Sequence, residues 1–268
     1  MDRFYFARIA AVIWLYGLFI PPAVAAERLV QALEHHAFST VLRERMLAFN
    51  KQYLDLRPVL PIEHMPCPKA QRYAQRVLDQ IIQGSSPTLR EMLIRADFSV
   101  TITVTCDIAS LPDAEMKAGL LDVSAALILL LSSEDEVAAV LAHELAHFTL
   151  AHDHKGMETF SQLTPFALKR FRMQQEEEAD AESLTLLANA GYDPYAAVEA
   201  LISVRDFIRA SQIRTDERHP QINDRIKTLK TQFLRGTFTR VPRRKDGFEA
   251  VKEALKLWLD KSAGFVRQ

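Results

Sequence analysis

Ser133 opens the stretch that most restricts what this chain can become. Ser133 and Glu136 stand three residues apart as a capping pair, and Asp135 and Glu136 suit the positive end of a helix. The residues from Val137 to His147, running on toward Leu150, then fit one helix containing the pentapeptide HELAH, His143 to His147. Histidines at i and i+4 lie one turn apart on one helix face, so both imidazoles can reach a single metal ion. Glu144 begins the adjoining edge of that face, where it can reach a water at the metal and act as general base rather than ligand. The flank from Val137 to Ala142 is small and apolar, as in a buried helix. A glutamate between two histidines is costly there without a metal or other partners.

A catalytic zinc takes three protein ligands and keeps one position open, so a third ligand should come from elsewhere. Gln174 to Asp180 reads QQEEEAD, at the start of a helix predicted to reach Asn189 and end at Gly191. Glu176 and Asp180 share a face at i and i+4. Glu176 can ligate while Asp180 bonds the far nitrogen of a histidine ligand and sets its tautomer. Three consecutive glutamates alone would read as a solvated helix start; the HELAH segment upstream gives them another meaning. His152 and His154 lie just past the zinc helix and read as surface residues rather than ligands.

The rest of the chain frames this region. Arg3 and Arg8, an apolar run from Ile9 to Ile20, and Ala23 to Ala26 after Pro21 and Pro22 follow the plan of a secretory signal peptide over residues 1–25. The alternative is an uncleaved anchor, for which the run is short. Export would place Cys67 and Cys106 in an oxidising compartment, where they form a disulfide or remain two free thiols. An N-terminal helical segment (26–64) includes a helix over Glu27–Leu54, followed by a Pro-rich loop. A second helix is predicted over Lys69–Ile82, and alternation marks a strand over Phe98–Cys106. Leu120 to Leu131 reads as buried core. With 33 basic and 34 acidic residues, no global field points to nucleic acid.

Taken together, HELAHFTLAH, EEEAD, AGYDP (Ala190 to Pro194) and HPQINDRI (His219 to Ile226) resemble the HtpX/BepA-like zinc metallopeptidases, bacterial relatives of the CAAX prenyl endopeptidase within the gluzincins. The resemblance implies a mainly α, α+β zincin-type metallopeptidase domain with a small β-sheet, spanning 65–235. It implies one zinc per chain on His143, His147 and Glu176, with Glu144 as base and Asp180 supporting a ligand. His219 and Arg225 match an element that supports the reacting centre, His219 by stabilising the oxyanion or by plugging the open zinc position. The family's Gly pair before the zinc helix is missing from Cys106 to Asp113, which bears on the substrate groove.

The implied activity is a periplasmic, zinc-dependent endopeptidase acting on protein or peptide substrates of the envelope, in quality control. The alternative is a non-proteolytic holdase or assembly factor on a zincin scaffold. A basic C-terminal extension (236–268) carries an amphipathic helix with Phe248, Val251, Leu255 and Trp258 on one face. That face is available either to pack on the peptidase domain or to make peripheral contact with a membrane.

Overall fold

A computed structural model describes residues 67–87, 89–90, 100–106, 111–117, 120–150, 152, 163–211, 222–236, 238–242 and 247–266. The expected signal peptide and the helix over Glu27–Leu54 lie outside the described residues.

Helix α1 (Pro68–Gly84) starts on a proline, whose missing N–H costs nothing in a first turn, and buries Ala70, Tyr73, Ala74, Val77, Leu78 and Ile81 as one stripe. Strands β1 (Thr101–Thr105), β2 (Ala114–Lys117) and β3 (Leu120–Ser124) form a sheet in the order β1-β3-β2. β1 runs parallel to β3 with Thr103 opposite Asp122, and β2 runs antiparallel to it with Met116 opposite Leu121. The outer edge of β1 is closed by α1 side chains. Gln71 accepts from Val104 N at 2.8 Å and donates to the Ile102 carbonyl, while Gln75 accepts from Ile102 N at 3.2 Å. Glutamines thus stand where a neighbouring strand would. The edge formed by β2 faces the HELAH segment instead.

Ser124 divides the apolar run from Leu120 to Leu131 into β3 and a short helix, α2 (Ala125–Leu130). Its hydroxyl accepts from Leu127 N at 3.1 Å as a cap and from Asp113 N at 2.9 Å, which pins the start of β2.

Helix α3 (Glu134–Thr149) carries HELAH. Ser133 Oγ accepts from Glu136 N at 3.2 Å, and Glu136 reaches back to Ser132 N at 3.2 Å. Glu134, Asp135 and Glu136 are all buried, and each has its own partners. Arg76 of α1 holds Glu134 at 2.7 and 3.2 Å, Asp193 N donates to Asp135 at 3.0 Å, and Ser203 donates to Glu136 at 3.1 Å. Buried carboxylates at a helix start are stabilised by the helix dipole as well as by these bonds. The helix that presents the motif is therefore anchored from three directions at its N-terminal end.

Helix α4 (Pro165–Ala190) begins well before Gln174, with Thr164 as its cap, so EEEAD lies in mid-helix rather than at a solvated start. It ends at Gly191, whose φ of 74° is the left-handed conformation glycine adopts freely. At Gly84 a Cβ would come within 2.5 Å of the Ala190 backbone, so the ends of α1 and α4 meet main chain to main chain. Helices α5 (Ala196–Ala210) and α6 (Ile222–Arg235) cover the other side of α3 and α4. Helix α7 (Phe248–Val266) buries Phe248, Val251 and Leu255 against α1 and α2, and Lys252 Nζ bonds the Leu131 carbonyl at 2.7 Å. The apolar face that the sequence offered to a membrane or to the domain is thus turned to the domain. Among the described residues no helix is long and apolar enough to cross a membrane.

Cys67 and Cys106 are joined, tying the N-terminal end of α1 to the end of β1 across a sequence separation of 39. A loop of that length gives an unfolded-state constraint of about 4 kcal/mol. Replacing both cysteines by alanine should lower the melting temperature by about 10 °C. Calorimetry on the oxidised protein and the double variant checks this.

Candidate active site

The site is built from α3, α4 and α6, with β2 along one side. His143 and His147 project from one face of α3, and Glu176 enters from α4. His143 Nε2 lies 3.0 Å from His147 Nε2, and the Glu176 oxygens lie 3.5 Å from each of these nitrogens. Bonds of 2.0–2.1 Å to a tetrahedral zinc would set ligand atoms about 3.3 Å apart, so the donor set and its spacing both fit that ion. Among the described residues these are the ones whose ligand atoms converge in this way. Glu177, next in the chain, is exposed.

Asp180, one turn after Glu176, faces His143 Nδ1 at 3.0 Å, though too bent for a full hydrogen bond. Its stronger partner is Arg225 of α6. The guanidinium grips Asp180 through Nε at 2.9 Å and Nη2 at 2.7 Å, and its Nη1 lies 2.6 Å from Glu176. All three groups are buried. Burial pushes the Asp180 carboxyl up, but Arg225 and His143 outweigh it and hold it at about 2. Glu176 is likewise held well below the usual carboxylate range, where burial again opposes Arg225 and the two histidines. Burial drives the His147 imidazole well below its ordinary value, which leaves it neutral with a lone pair to give. At His143 burial also acts downward, but Asp180 and Glu176 outweigh it and raise the ring to about 10.

Glu144 Oε2 accepts from Met116 N on β2 at 3.0 Å, which ties this carboxylate, next in the chain to His143, to the sheet edge. Burial, reinforced by Glu176, raises it to about 7 against the lowering effect of His143 and the Met116 N–H. Beside His143, Glu144 and Arg225 opens a cavity of about 230 Å³, walled by Val140 of α3 and by Ala200, Leu201, Val204, Phe207 and Ile208 of α5.

Residues 136–237 match the family model described as Peptidase U49. The chain is a peptidase. The matched span contains His143, Glu144, His147, Glu176, Asp180 and Arg225, so the peptidase match and the convergent side chains coincide. Protein or peptide substrates follow from that activity. No curated protein matches the chain.

The structure brings together His143, Glu144, His147, Glu176, Asp180 and Arg225, and joins Cys67 to Cys106. His219 and His154 lie outside the described residues. His152 differs from its expected surface position: it is 2% exposed and its ring stands 2.9 Å from that of His147. Helix α3 ends at Thr149 with Leu150 as its C-cap, so His152 lies beyond the helix that carries His147. A five-residue spacing places it on no common helix face with His147, so periodicity carries no signal for it. The apolar wall on α5 was also missed; Leu201, Val204 and Ile208 recur at i, i+3 and i+7, a pattern that reads equally as core.

Proposed function

We propose that this peptidase is an exported, zinc-dependent endopeptidase of the periplasm, acting on envelope proteins in quality control. The observation that carries the zinc reading is the meeting of two imidazole Nε2 atoms and a Glu176 carboxylate at 3.0 to 3.5 Å, with the half-buried Glu144 carboxylate at their side. A zinc ion held by His143, His147 and Glu176 would act as a Lewis acid toward the scissile carbonyl and acidify a water beside it. Glu144 takes the proton from the attacking water on its carboxylate and returns it to the leaving amine. Arg225 keeps Glu176 and Asp180 ionised and fixed in direction through its paired contacts. The edge of β2 gives an extended substrate a strand to lie against, and the cavity beside His143 suits a bulky apolar side chain next to the cleaved bond. Export and the HtpX/BepA-like assignment rest on the N-terminal segment and on the ordered motifs.

Purified protein should hold about one zinc, since the three ligand groups define one site. Stripping it with a chelator should reduce casein cleavage to background, and zinc should restore it. Glu176→Ala should weaken zinc binding by more than about 100-fold, because loss of an outer partner alone costs 10–100-fold. Elemental analysis and a chelator competition titration check both. Cleavage undiminished in rigorously metal-free protein would end the zinc reading while leaving the peptidase intact.

A further inference from the structure

We infer that His152 and Glu178 form a tautomer relay that aims His147 at the metal, so that the two histidine ligands are oriented by different machinery. The inference rests on the zinc reading of the site and adds residues to it.

Hydrogen-bond direction carries the argument. His147 Nε2 is the atom that meets His143 Nε2 at 3.0 Å and Glu176 at 3.5 Å, so its lone pair must lie there for ligation. A neutral imidazole has one N–H, which places the His147 proton on Nδ1. That atom faces His152 Nδ1 at 2.9 Å, so His152 accepts on Nδ1 and its own proton sits on Nε2. His152 Nε2 in turn faces Glu178 Oε2 at 3.2 Å, which accepts. Every link has a single consistent polarity from the ligand outward to a carboxylate. The far end is secured by α4: Gln175 Nε2 bonds the His152 carbonyl at 2.6 Å, and Gln174 Nε2 bonds Glu178 Oε1 at 2.8 Å. The three consecutive glutamates therefore divide their work, with Glu176 turned to the metal site and Glu178 to the relay. On the other ligand, Asp180 faces His143 Nδ1 with no intermediate. A neutral ring between carboxylate and ligand makes the His147 branch dependent on the placement of one buried side chain, 2% exposed.

His152 is thus a positioning residue, and its loss should show in metal affinity before it shows in chemistry. His152→Ala should weaken zinc binding about 10–100-fold in a competition titration against a chromophoric chelator. His152→Asn puts an amide oxygen near the place of Nδ1 and should recover most of that loss, although it breaks the link to Glu178. Glu178→Ala should weaken binding by a smaller factor than His152→Ala. Melting of each metal-free variant separates a packing effect from a ligand effect, since packing alone lowers that melting point without changing zinc affinity relative to wild type. Zinc affinity equal to wild type in His152→Ala, or equally poor binding by the Asn and Ala variants, overturns the relay. If His152→Ala fails to fold, the comparison of His152→Asn and Glu178→Ala with wild type decides: binding unchanged in Glu178→Ala overturns it. Wild-type protein that binds no zinc would instead dispose of the zinc reading itself.

Discussion

Glu144→Gln should lower cleavage by orders of magnitude while leaving zinc and fold in place. The substitution keeps the shape of the side chain and an oxygen that can accept from Met116 N, now at 3.0 Å from the carboxylate. What it removes is the basic site for the proton of the attacking water. General base catalysis contributes about 10²–10⁴-fold, so the cleavage rate should fall by that factor. Zinc content should stay at wild type, because Glu144 is not among the groups whose ligand atoms converge. Stability adds a second, independent signature. The carboxyl is raised to about 7 by burial, so between its ordinary value and pH 7 the folded metal-free protein binds more protons than the unfolded chain. Stability of the metal-free wild type therefore falls as pH rises through that window, and Glu144→Gln, which cannot ionise, should escape the fall. The variant should be at least as stable as wild type at pH 5 and clearly more stable at pH 8. Casein hydrolysis, zinc analysis and melting at the two pH values test the three parts separately. Cleavage at the wild-type rate would remove Glu144 from the mechanism. A wild type that holds zinc, binds unfolded envelope proteins and cleaves none of them would favour the holdase.

The parts of the site that were legible in the sequence are those where one helix fixes the relative placement of two residues. Ser133 marks the start of α3, after which His143 and His147 must share a face; Glu176 and Asp180 share one for the same reason. The amphipathic C-terminal helix was legible through Phe248, Val251 and Leu255, which are the residues buried. Legibility stopped where a residue lies beyond a helix end or in a run without a period. Leu120 to Leu131 is apolar at nearly every position, so nothing in it says that Ser124 ends a strand and caps a helix. His152 lies three residues past Thr149, the last residue of α3, so the period of that helix does not reach it. The first turns of α4 carry no periodic signal, since Lys169 to Gln175 is polar on most sides and a polar helix shows no stripe. The role of Glu134 and Asp135 as partners of Arg76 and Asp193 was hidden similarly, because a long-range contact leaves no local pattern.

Arg225→Met should cause the largest loss of stability, and zinc should repair much of it. The side chain is 8% exposed and holds two buried carboxylates, with Asp180 at 2.7 and 2.9 Å and Glu176 at 2.6 Å. Methionine fills part of the volume but leaves both carboxylates without their cation. Removing one partner of a buried ion pair costs about 3–5 kcal/mol, because the remaining charge stays desolvated. Metal-free Arg225→Met should therefore melt far below wild type or fail to fold at low zinc. A divalent cation at His143, His147 and Glu176 supplies positive charge within reach of the same two carboxylates. Saturating zinc should then raise the melting point of the variant by more than it raises that of wild type, since stabilisation by a ligand follows its affinity for the folded form. Arg225→Lys separates charge from geometry. A single ammonium restores the charge but cannot reach Asp180 and Glu176 together as the fork does, so its metal-free stability should fall between the other two. Melting curves of the three proteins with and without zinc test the coupling. Equal zinc-induced shifts in wild type and Arg225→Met would mean that Arg225 and the metal do not share the same pair of charges, and would return Arg225 to a purely structural tie between α4 and α6.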